Sequence, residues 1–222
     1  MPFADTSPRP HGALMDGIYR YQRHVYDVTR RYYLFGRDEM LAELMPPHRG
    51  AVLEIGCGTG RNLVHAARRS PDVHFHGIDL SAEMLKTARA TIRRCHLDDR
   101  IALRQGDATD FDGQALFGHR RFDRVYFSYT LSMVPAWEAA LETAVRHVAP
   151  GGSLHVVDFG QCENLPPLVR RALFAWLDRF HVTPRENLRA ALEGLAGRNG
   201  GTLRFEPLMG GYAWHGVVRL AP

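Results

Sequence analysis

A glycine-rich loop that directly follows a short apolar run limits the architectures open to this chain. The run extends from Ala51 to Ile55, and the sequence from 52 to 62 reads VLEIGCGTGRN. A short, continuous apolar run is typical of a strand buried on both faces of a parallel sheet. Glycines at the end of such a strand allow a sharp turn and let a ligand approach backbone amides that a Cβ would block. We therefore predict a ligand site at the carboxyl end of this strand.

Strand and helix signals alternate through most of the remaining chain, as they do in α/β proteins. Further strands are predicted at 73–78, 100–105, 122–127 and 154–159, with helices at 61–69, 81–94 and 135–147 between them. Two strand-like runs, 202–206 and 212–220, follow near the end of the chain, and only 207–211 separates them. The prediction is a Rossmann-like, doubly wound and mostly parallel seven-stranded sheet that finishes in an antiparallel hairpin.

Two helical segments accompany this sheet. From about 14 to 44 apolar residues recur at three- and four-residue steps, among them Ile18, Tyr21, Val25, Val28 and Tyr32, which indicates helix. Residues 161–200 are also helical in pattern and rich in arginine. We predict an N-terminal helical cap over 1–50 and a main domain over 51–222 that carries a helical insertion at about 161–200.

Composition excludes several classes of protein. The 222 residues are 45% hydrophobic and 23% charged, as in soluble globular proteins, and no apolar stretch reaches the roughly 18 to 20 residues of a membrane-spanning helix. The first residues lack the layout of an export signal. Three cysteines without Cys-x-x-Cys spacing favour free thiols in a reducing compartment. The net charge of +4 is only a weak indication of polyanionic partners, and we expect a cytoplasmic protein.

The details of the loop separate it from two common nucleotide sites. Its spacing is Gly-x-Gly-x-Gly, and Arg61 stands where a dinucleotide fingerprint requires a glycine. No Lys-Ser/Thr follows, which excludes a P-loop. Glu54 lies just before the loop, where a carboxylate repels a pyrophosphate but suits the ammonium group of an amino acid.

Carboxylates follow the next two predicted strands as well. Asp79 ends the second strand, where an acidic side chain can accept hydrogen bonds from both ribose hydroxyls; the alternative is that it caps the following helix. Asp107 and Ala108 follow the third strand, where the carboxylate can accept from an adenine amine and the amide can donate to the ring. A ligand that combines adenosine with an amino-acid tail is S-adenosylmethionine.

With these motifs, residues 51–220 resemble the class I methyltransferases, whose sheet ends in an antiparallel hairpin. The resemblance implies that S-adenosylmethionine binds here and that S-adenosylhomocysteine is the product. The residues implied to bind the cofactor follow the strand ends and open the next helix: Glu54, Gly56, Cys57, Gly58, Gly60, Asp79, Leu80, Met84, Asp107, Ala108, Ser128 and Tyr129.

The segment after the fourth strand bears on the methyl acceptor. It lacks the Asn/Asp-Pro-Pro-aromatic and Pro-Cys motifs of nucleic-acid methyltransferases, and the chain shows no basic stripe with interleaved aromatics, so we expect no nucleic-acid partner. The chain more specifically resembles the bacterial betaine-lipid N-methyltransferases, which trimethylate the amine of diacylglyceryl homoserine. Five segments carry this resemblance: YDVTRRYYLFGRD (26–38), GRNL (60–63), YTLSMVP (129–135), HVVDFG (155–160) and RFHVTP (179–184).

This resemblance implies an amine acceptor on a lipid headgroup. Candidates for the group that accepts the amine proton are Tyr129, Asp158 and His181. Four further residues are candidates for binding the acceptor: Arg31 as a clamp for its carboxylate, Tyr32 and Tyr33 as cation–π walls, and Ser132. For Arg31 the alternative is a surface salt bridge with a neighbouring acid, and for the other candidates it is packing or helix capping. His74 and His76 share a strand face, but no third ligand has suitable spacing, so we predict no metal site.

The predicted insertion contains an amphipathic stretch over 165–180. Apolar side chains form one helical stripe, Trp176 and Phe180 form an aromatic pair, and Arg170, Arg171 and Arg179 lie off the stripe. Such a helix is either a lid that packs on the sheet or a peripheral contact with the inner face of a membrane. Two other functions stay open: methylation of a soluble amine or hydroxyl, and binding of S-adenosylmethionine without turnover. The oligomeric state stays open as well.

Overall fold

Seven strands form a single sheet in this computed structural model, which describes residues 34–180 and 182–222. The strands are β1 (Ala51–Ile55), β2 (His74–Asp79), β3 (Ile101–Gln105), β4 (Phe122–Ser128), β5 (Val148–Phe159), β6 (Thr202–Leu208) and β7 (Ala213–Arg219). Their order is β3-β2-β1-β4-β5-β7-β6. The first five strands are parallel, and β7 runs antiparallel to both β5 and β6. The predicted sheet and its terminal hairpin are confirmed.

Helices cover both faces of this sheet. They are α1 (Arg37–Glu43), α2 (Arg61–Arg69), α3 (Ala82–Arg94), α4 (Gly113–Phe117), α5 (Trp137–Arg146), α6 (Pro167–Asp178) and α7 (Leu188–Arg198), with 3-10 turns at Leu131–Met133 and Met209–Gly211. One buried apolar cluster includes side chains from α1, α2 and α3, and a second includes side chains from α5 and α7. Val52 belongs to the first cluster and Leu53 to the second, since successive strand residues point to opposite faces. The apolar run of β1 is continuous because both of its faces are buried.

The starts of helices α2 and α3 are fixed by the residues that directly precede them. The Ser81 hydroxyl accepts a hydrogen bond from the Met84 amide at 3.3 Å and so caps α3. Helix α2 begins at Arg61, directly after Gly60, which adopts a φ of +73°. Both helices therefore start at the carboxyl ends of the strands that precede them, β2 and β1.

Three features differ from the sequence predictions. The helix predicted through residue 44 is not continuous in the described part, because Gly36 adopts a φ of +77° and α1 begins only at Arg37. Strand β5 begins at Val148 rather than at 154, because Val148 pairs with Phe122 of β4, and Gly151 and Gly152 bond to Ala221 and Leu220. The short helix α4 was not predicted. Residues 1–33 lie outside the described residues, so the cap over 1–50 stays a proposal.

The predicted insertion folds as two helices, α6 and α7, that pack differently. Helix α7 buries Leu188, Leu192 and Leu195 in the second cluster, whereas α6 buries only Leu177. Across residues 34–180 and 182–222, no helix combines the length and apolar character that crossing a bilayer requires.

Candidate functional site

A cleft opens at the carboxyl ends of β1, β2 and β4. Strand β1 lies between β2 and β4, at the point where the strand order reverses and where ligands bind in open α/β sheets. The cleft has an empty volume of about 550 Å³, which includes space open to solvent. Its walls are Leu34, Arg37, Glu54, Gly56, Cys57, Gly58, Thr59, Arg61, Asn62, Met84 and Ser128.

The glycine loop is folded as the sequence predicts. The amides of Gly56 and Cys57 both donate to the Ile78 carbonyl at 2.9 Å, which ties the loop to β2. Gly56 adopts a φ of +74°, and a Cβ there would collide with the Thr130 side chain. Gly58 adopts a φ of +52° and has open space where a Cβ would lie. A ligand can therefore approach the loop backbone at Gly58.

Glu54 forms a buried acidic wall of the cleft. Its Oε1 accepts a hydrogen bond of 2.7 Å from the Asn62 amide nitrogen. Its Oε2 is buried without a hydrogen-bond partner among the described residues. Burial raises the pKa of Glu54 to about 8, although the neighbouring Asn62 and Tyr126 side chains act in the opposite direction. A buried acceptor in this state is a site for a ligand donor.

The Asp79 carboxylate joins the loop to the start of α3. Its Oδ2 accepts from the Gly58 amide at 2.7 Å, and its Oδ1 accepts from the Ser81 amide at 2.9 Å. Helix α3 is capped by the Ser81 side chain, so Asp79 is not its capping residue. Leu80 follows Asp79, and its carbonyl accepts from the Gln105 amide nitrogen at 2.9 Å.

Asp107 and Ala108, which are predicted to bind the adenine ring, follow β3 at the same edge of the sheet. They are not among the residues that line the cleft. Asp107 is exposed, and its Oδ1 accepts from the Thr109 amide at 2.8 Å and from the Thr109 hydroxyl at 2.7 Å. Ala108 is half-buried. Their predicted contacts with the adenine ring stay predictions.

The segment after β4 contributes one cleft residue and one buried tyrosine. Ser128 lines the cleft, and its Oγ is buried without a partner among the described residues. Tyr129 adopts a φ of +55°, which is rare for a residue with a side chain. Its hydroxyl donates a hydrogen bond of 2.6 Å to the Phe35 carbonyl, and burial raises the pKa of Tyr129 well above its ordinary value. The geometry indicates a positioning role, while the predicted role as proton acceptor stays a prediction.

Asp158 and Ser132 contact each other but do not line the cleft. Asp158 is buried; its Oδ2 accepts from the Ser132 amide at 3.1 Å and its Oδ1 from the Phe159 amide at 2.8 Å. Burial raises the pKa of Asp158, and these hydrogen bonds lower it. The carboxylate therefore holds the 3-10 turn against β5. The other four predicted residues, Arg31, Tyr32, Tyr33 and His181, lie outside the described residues.

Sequence reasoning missed two arginines that shape the site. Arg37 is buried and lines the cleft, with its Nε 3.7 Å from Asp38 Oδ1. Burial and the neighbouring Arg61 lower the pKa of Arg37. Arg185 donates to the carbonyls of Leu131 at 3.0 Å and Val134 at 2.8 Å, and so fixes the turn after β4. Arg37 could have been found from its place directly after a glycine in segment 26–38, but no local signal marks Arg185.

Metal ligands and a reactive thiol are not features of this cleft. Within residues 34–180 and 182–222, no group of three or more His, Cys, Asp or Glu side chains could hold a metal ion. Cys57 lines the cleft, but burial raises the pKa of its thiol well above the ordinary value. The polar side chains that line the cleft are those of Arg37, Glu54, Thr59, Arg61, Asn62 and Ser128.

Comparisons with known proteins decide the class of this site. A family model described as a methyltransferase domain matches residues 52–152. The ubiquinone/menaquinone biosynthesis C-methyltransferase UbiE of Sinorhizobium fredii is 28% identical over 193 residues, which cover 82% of this chain and 71% of that protein. The chain is an S-adenosylmethionine-dependent methyltransferase.

A second relative of this methyltransferase is the phosphatidylethanolamine N-methyltransferase of Cereibacter sphaeroides, which is 36% identical over 109 residues. That match covers 49% of the methyltransferase and 50% of its relative. A Haemonchus contortus phosphoethanolamine N-methyltransferase, solved in complex with S-adenosylmethionine, has the same fold, with a TM-score of 0.74 at 15% identity over all of this chain and 62% of that one. The methyltransferase spans between half and about seven tenths of the length of these three proteins.

The cleft residues fit this cofactor. The unpartnered Glu54 Oε2 and Ser128 Oγ are acceptors for an ammonium group, and the buried guanidinium of Arg37 is a partner for a carboxylate. The open backbone at Gly58 leaves room for the ligand to approach the loop. An amino-acid tail carries both of these charges, which a pyrophosphate does not.

Proposed function

We propose that this methyltransferase methylates the amine of a homoserine-derived lipid headgroup, the acceptor of betaine-lipid synthesis. The observation that carries the proposal is the exposure of α6, which follows β5 at the carboxyl edge of the sheet. Only Leu177 of its twelve residues is fully buried. Leu173 and Phe174 are half-buried against the first cluster, whereas Leu168 and Val169, near the start of the helix, are exposed. The two exposed apolar side chains, Leu168 and Val169, favour a lipid acceptor, since an acyl chain could cover them and a soluble acceptor could not. The 36% identity with a phosphatidylethanolamine N-methyltransferase also supports an amine on a lipid.

Different residues are proposed to bind the amino-acid end and the nucleoside end of S-adenosylmethionine. Glu54 and Ser128 would accept from the ammonium group, and Arg37 would bind the carboxylate. Asp79 would accept from the ribose hydroxyls, and Asp107 with Ala108 would contact the adenine. The backbones of the glycine loop and of Leu80, and the side chain of Met84, would enclose the nucleoside.

Methyl transfer to an amine makes few demands on the protein beyond alignment. When bound, S-adenosylmethionine supplies an electrophilic methyl group: the amine lone pair forms the N–C bond as the S–C bond breaks, and S-adenosylhomocysteine remains. The chain's part is to orient the two reactants and to exclude water, which together can supply roughly 7 to 11 kcal/mol. Arg31 remains our candidate for the acceptor carboxylate, and Tyr32 and Tyr33 remain candidates for cation–π contact.

The amine must lose its proton before it reacts. The α-amino group of a peptide has a pKa of about 7.7 to 8.0. The free carboxylate of the homoserine headgroup favours the protonated amine, so a group that accepts the proton would assist the reaction. Asp158 and Tyr129 both have protein partners for their oxygens, which favours positioning roles for them. His181, which lies outside the described residues, remains a candidate base.

A panel of acceptors tests the proposal. The protein is incubated with labelled S-adenosylmethionine and, separately, diacylglyceryl homoserine in detergent, phosphatidylethanolamine, a soluble homoserine ether and demethylmenaquinone. We expect label chiefly in the first, with mono-, di- and trimethylated products resolved by mass spectrometry. Preference for the soluble ether would contradict the lipid acceptor. Preference for demethylmenaquinone would contradict N-methylation and favour C-methylation, which the broader match to UbiE makes the second candidate.

A further inference from the structure

Large apolar side chains that remain exposed are concentrated at one edge of the molecule. In the described part of the chain there are five: Phe35 (39% exposed), Met45 (67%), Leu168 (80%), Val169 (51%) and Met209 (61%). Met209 belongs to the turn between β6 and β7, Phe35 contacts Tyr212 at the end of that turn, and Leu168 and Val169 lie at the start of α6, which follows a segment bonded to the turn. We call Phe35, Leu168, Val169 and Met209 the edge patch.

Backbone contacts hold the start of α6 against this turn. The Cys162 amide donates to the Gly211 carbonyl at 2.8 Å, and the Asn164 amide donates to the Gly210 carbonyl at 3.1 Å. Leu165 lies so close to Gly210 that a Cβ there would be 3.1 Å from its side chain. Leu168 and Val169 follow Leu165 by three and four residues, in the first turn of α6.

Phe35 joins the patch from the other side of the turn. Its ring contacts Tyr212 edge-on, with centroids 5.3 Å apart. The same segment, 34–37, contributes Leu34 and Arg37 to the cofactor cleft. The edge patch is therefore adjacent to the entrance of the candidate site. Met45 lies at the opposite edge, where its carbonyl accepts from Arg124 near the start of β4.

Three arginines on α7 and β6 form ion pairs, whereas the arginines at α6 do not form any within the described residues. Arg189, Arg198 and Arg204 each pair with a glutamate. Arg170 and Arg171 follow the patch directly and Arg179 ends the helix, and all three are exposed. No ion pair joins any of these three to a carboxylate among residues 34–180 and 182–222. Arg170 also lies over the Phe174 ring, with its guanidinium carbon 5.6 Å from the ring centroid. Exposed cations without a carboxylate partner in the described part of the chain, beside exposed apolar side chains, match the anionic headgroups and acyl chains of a bilayer surface.

We propose that the edge patch, with Arg170 and Arg171, docks this protein on an anionic phospholipid bilayer. The proposal rests on the lipid acceptor proposed above and names the surface from which the acceptor would reach the cleft. A second copy of the chain is the less suitable occupant, because a two-fold interface would bring the same unpaired cations together.

Sedimentation with vesicles tests the docking without turnover. The full chain, with neither S-adenosylmethionine nor acceptor, is mixed with vesicles of phosphatidylcholine alone or with 30% phosphatidylglycerol. We expect binding mainly to the anionic vesicles and a decrease as salt is raised. The double variant Arg170→Gln/Arg171→Gln should bind at least tenfold more weakly, since each arginine near such a surface contributes about fivefold. Arg93→Gln/Arg94→Gln, an equal charge change at the exposed end of α3, should bind like the wild type.

Substitutions of the apolar side chains test the edge patch itself. Leu168→Ser/Val169→Ser should also weaken vesicle binding at least tenfold, whereas Met45→Ser should not change it. Met209→Ser provides a single change if the double variant fails a thermal unfolding check. The proposal would be overturned if the patch variants and the control variants weakened vesicle binding equally. It would also be overturned if the wild type bound no vesicles and formed a dimer that Leu168→Ser/Val169→Ser dissociated.

The result can be separated from that of the acceptor panel. If diacylglyceryl homoserine is methylated in detergent but the protein does not bind vesicles, the docking proposal fails and the lipid acceptor stands. If the protein binds vesicles but methylates only soluble acceptors, the proposed function fails instead.

Discussion

The Tyr129 hydroxyl donates a hydrogen bond of 2.6 Å to the carbonyl oxygen of Phe35 across 94 positions of sequence. Phe35 lies between Leu34 and Arg37, two residues that line the cofactor cleft. The hydrogen bond therefore fastens the segment before α1 to the end of β4. Gly36 is confined in the same place, since a Cβ there would collide with Leu208.

Replacing Tyr129 with phenylalanine should loosen this segment without changing the chemistry. A hydrogen bond of this kind contributes about 0.5 to 1.5 kcal/mol, so we expect Tyr129→Phe to raise the KM for S-adenosylmethionine about twofold to tenfold. The pH dependence of kcat should stay the same. Loss of one limb of the pH–rate profile in the variant would instead identify the phenol as the proton acceptor.

Glu54 should couple stability to pH because its folded-state pKa, about 8, lies above the ordinary value of 4.5. Between these values the folded protein holds a proton that the unfolded chain has lost. The free energy of unfolding should therefore fall as pH rises from about 4.5 to 8. Glu54→Gln should lack this component, which denaturant unfolding at several pH values will measure. An unchanged slope in the variant would contradict the raised pKa.

The same carboxyl should release a proton when the cofactor binds. An ammonium ligand favours ionised Glu54, so S-adenosylhomocysteine should bind more tightly as pH rises from 6 to 7.5, with proton release visible by calorimetry in buffers of different ionisation enthalpy. Methylthioadenosine, which lacks the amino-acid tail, is the matched control and should release no proton. Proton release with both ligands would place the ammonium group elsewhere.

How far the sequence could predict this site depends on how local each signal is. The signals for β1, for the glycine loop and for the start of α3 each lie within a few residues of sequence, and these elements formed as predicted. The break at Gly36 was missed because the apolar period continues through a residue whose φ is positive. The early start of β5 depends on pairing with residues near 220, and the roles of Tyr129 and Arg185 depend on carbonyls distant in sequence.

Asp79 should be required for cofactor affinity. Hydrogen bonds to a charged acceptor are worth about 1.5 to 3 kcal/mol each, so Asp79→Ala should weaken S-adenosylhomocysteine binding tenfold or more by calorimetry. Part of that loss would come from the Gly58 amide, which loses its acceptor. Adenine alone lacks the ribose and should bind the variant as it binds the wild type. Unchanged affinity for S-adenosylhomocysteine would remove Asp79 from the site.

Arg37 should discriminate between cofactor ligands that do and do not carry a carboxylate. Its guanidinium is buried at the cleft near Arg61, so a carboxylate there is desolvated and strongly attracted. Arg37→Met should weaken S-adenosylhomocysteine at least tenfold and leave methylthioadenosine within about twofold. If cofactor affinity is unchanged and the KM for the lipid rises instead, Arg37 binds the acceptor. Equal loss for both ligands would indicate a structural role only.

Asp158→Asn distinguishes a base from a support for the turn after β4. Asparagine has one side-chain oxygen, so either the Ser132 or the Phe159 amide loses its acceptor. We expect the free energy of unfolding to fall by about 1.5 to 3 kcal/mol and kcat, measured below the unfolding temperature, to fall less than tenfold. Removal of a general base would lower kcat by about 10² to 10⁴. A loss of that size in a stably folded variant would return Asp158 to the chemistry, because a residue that only supports the turn acts through geometry that asparagine largely keeps.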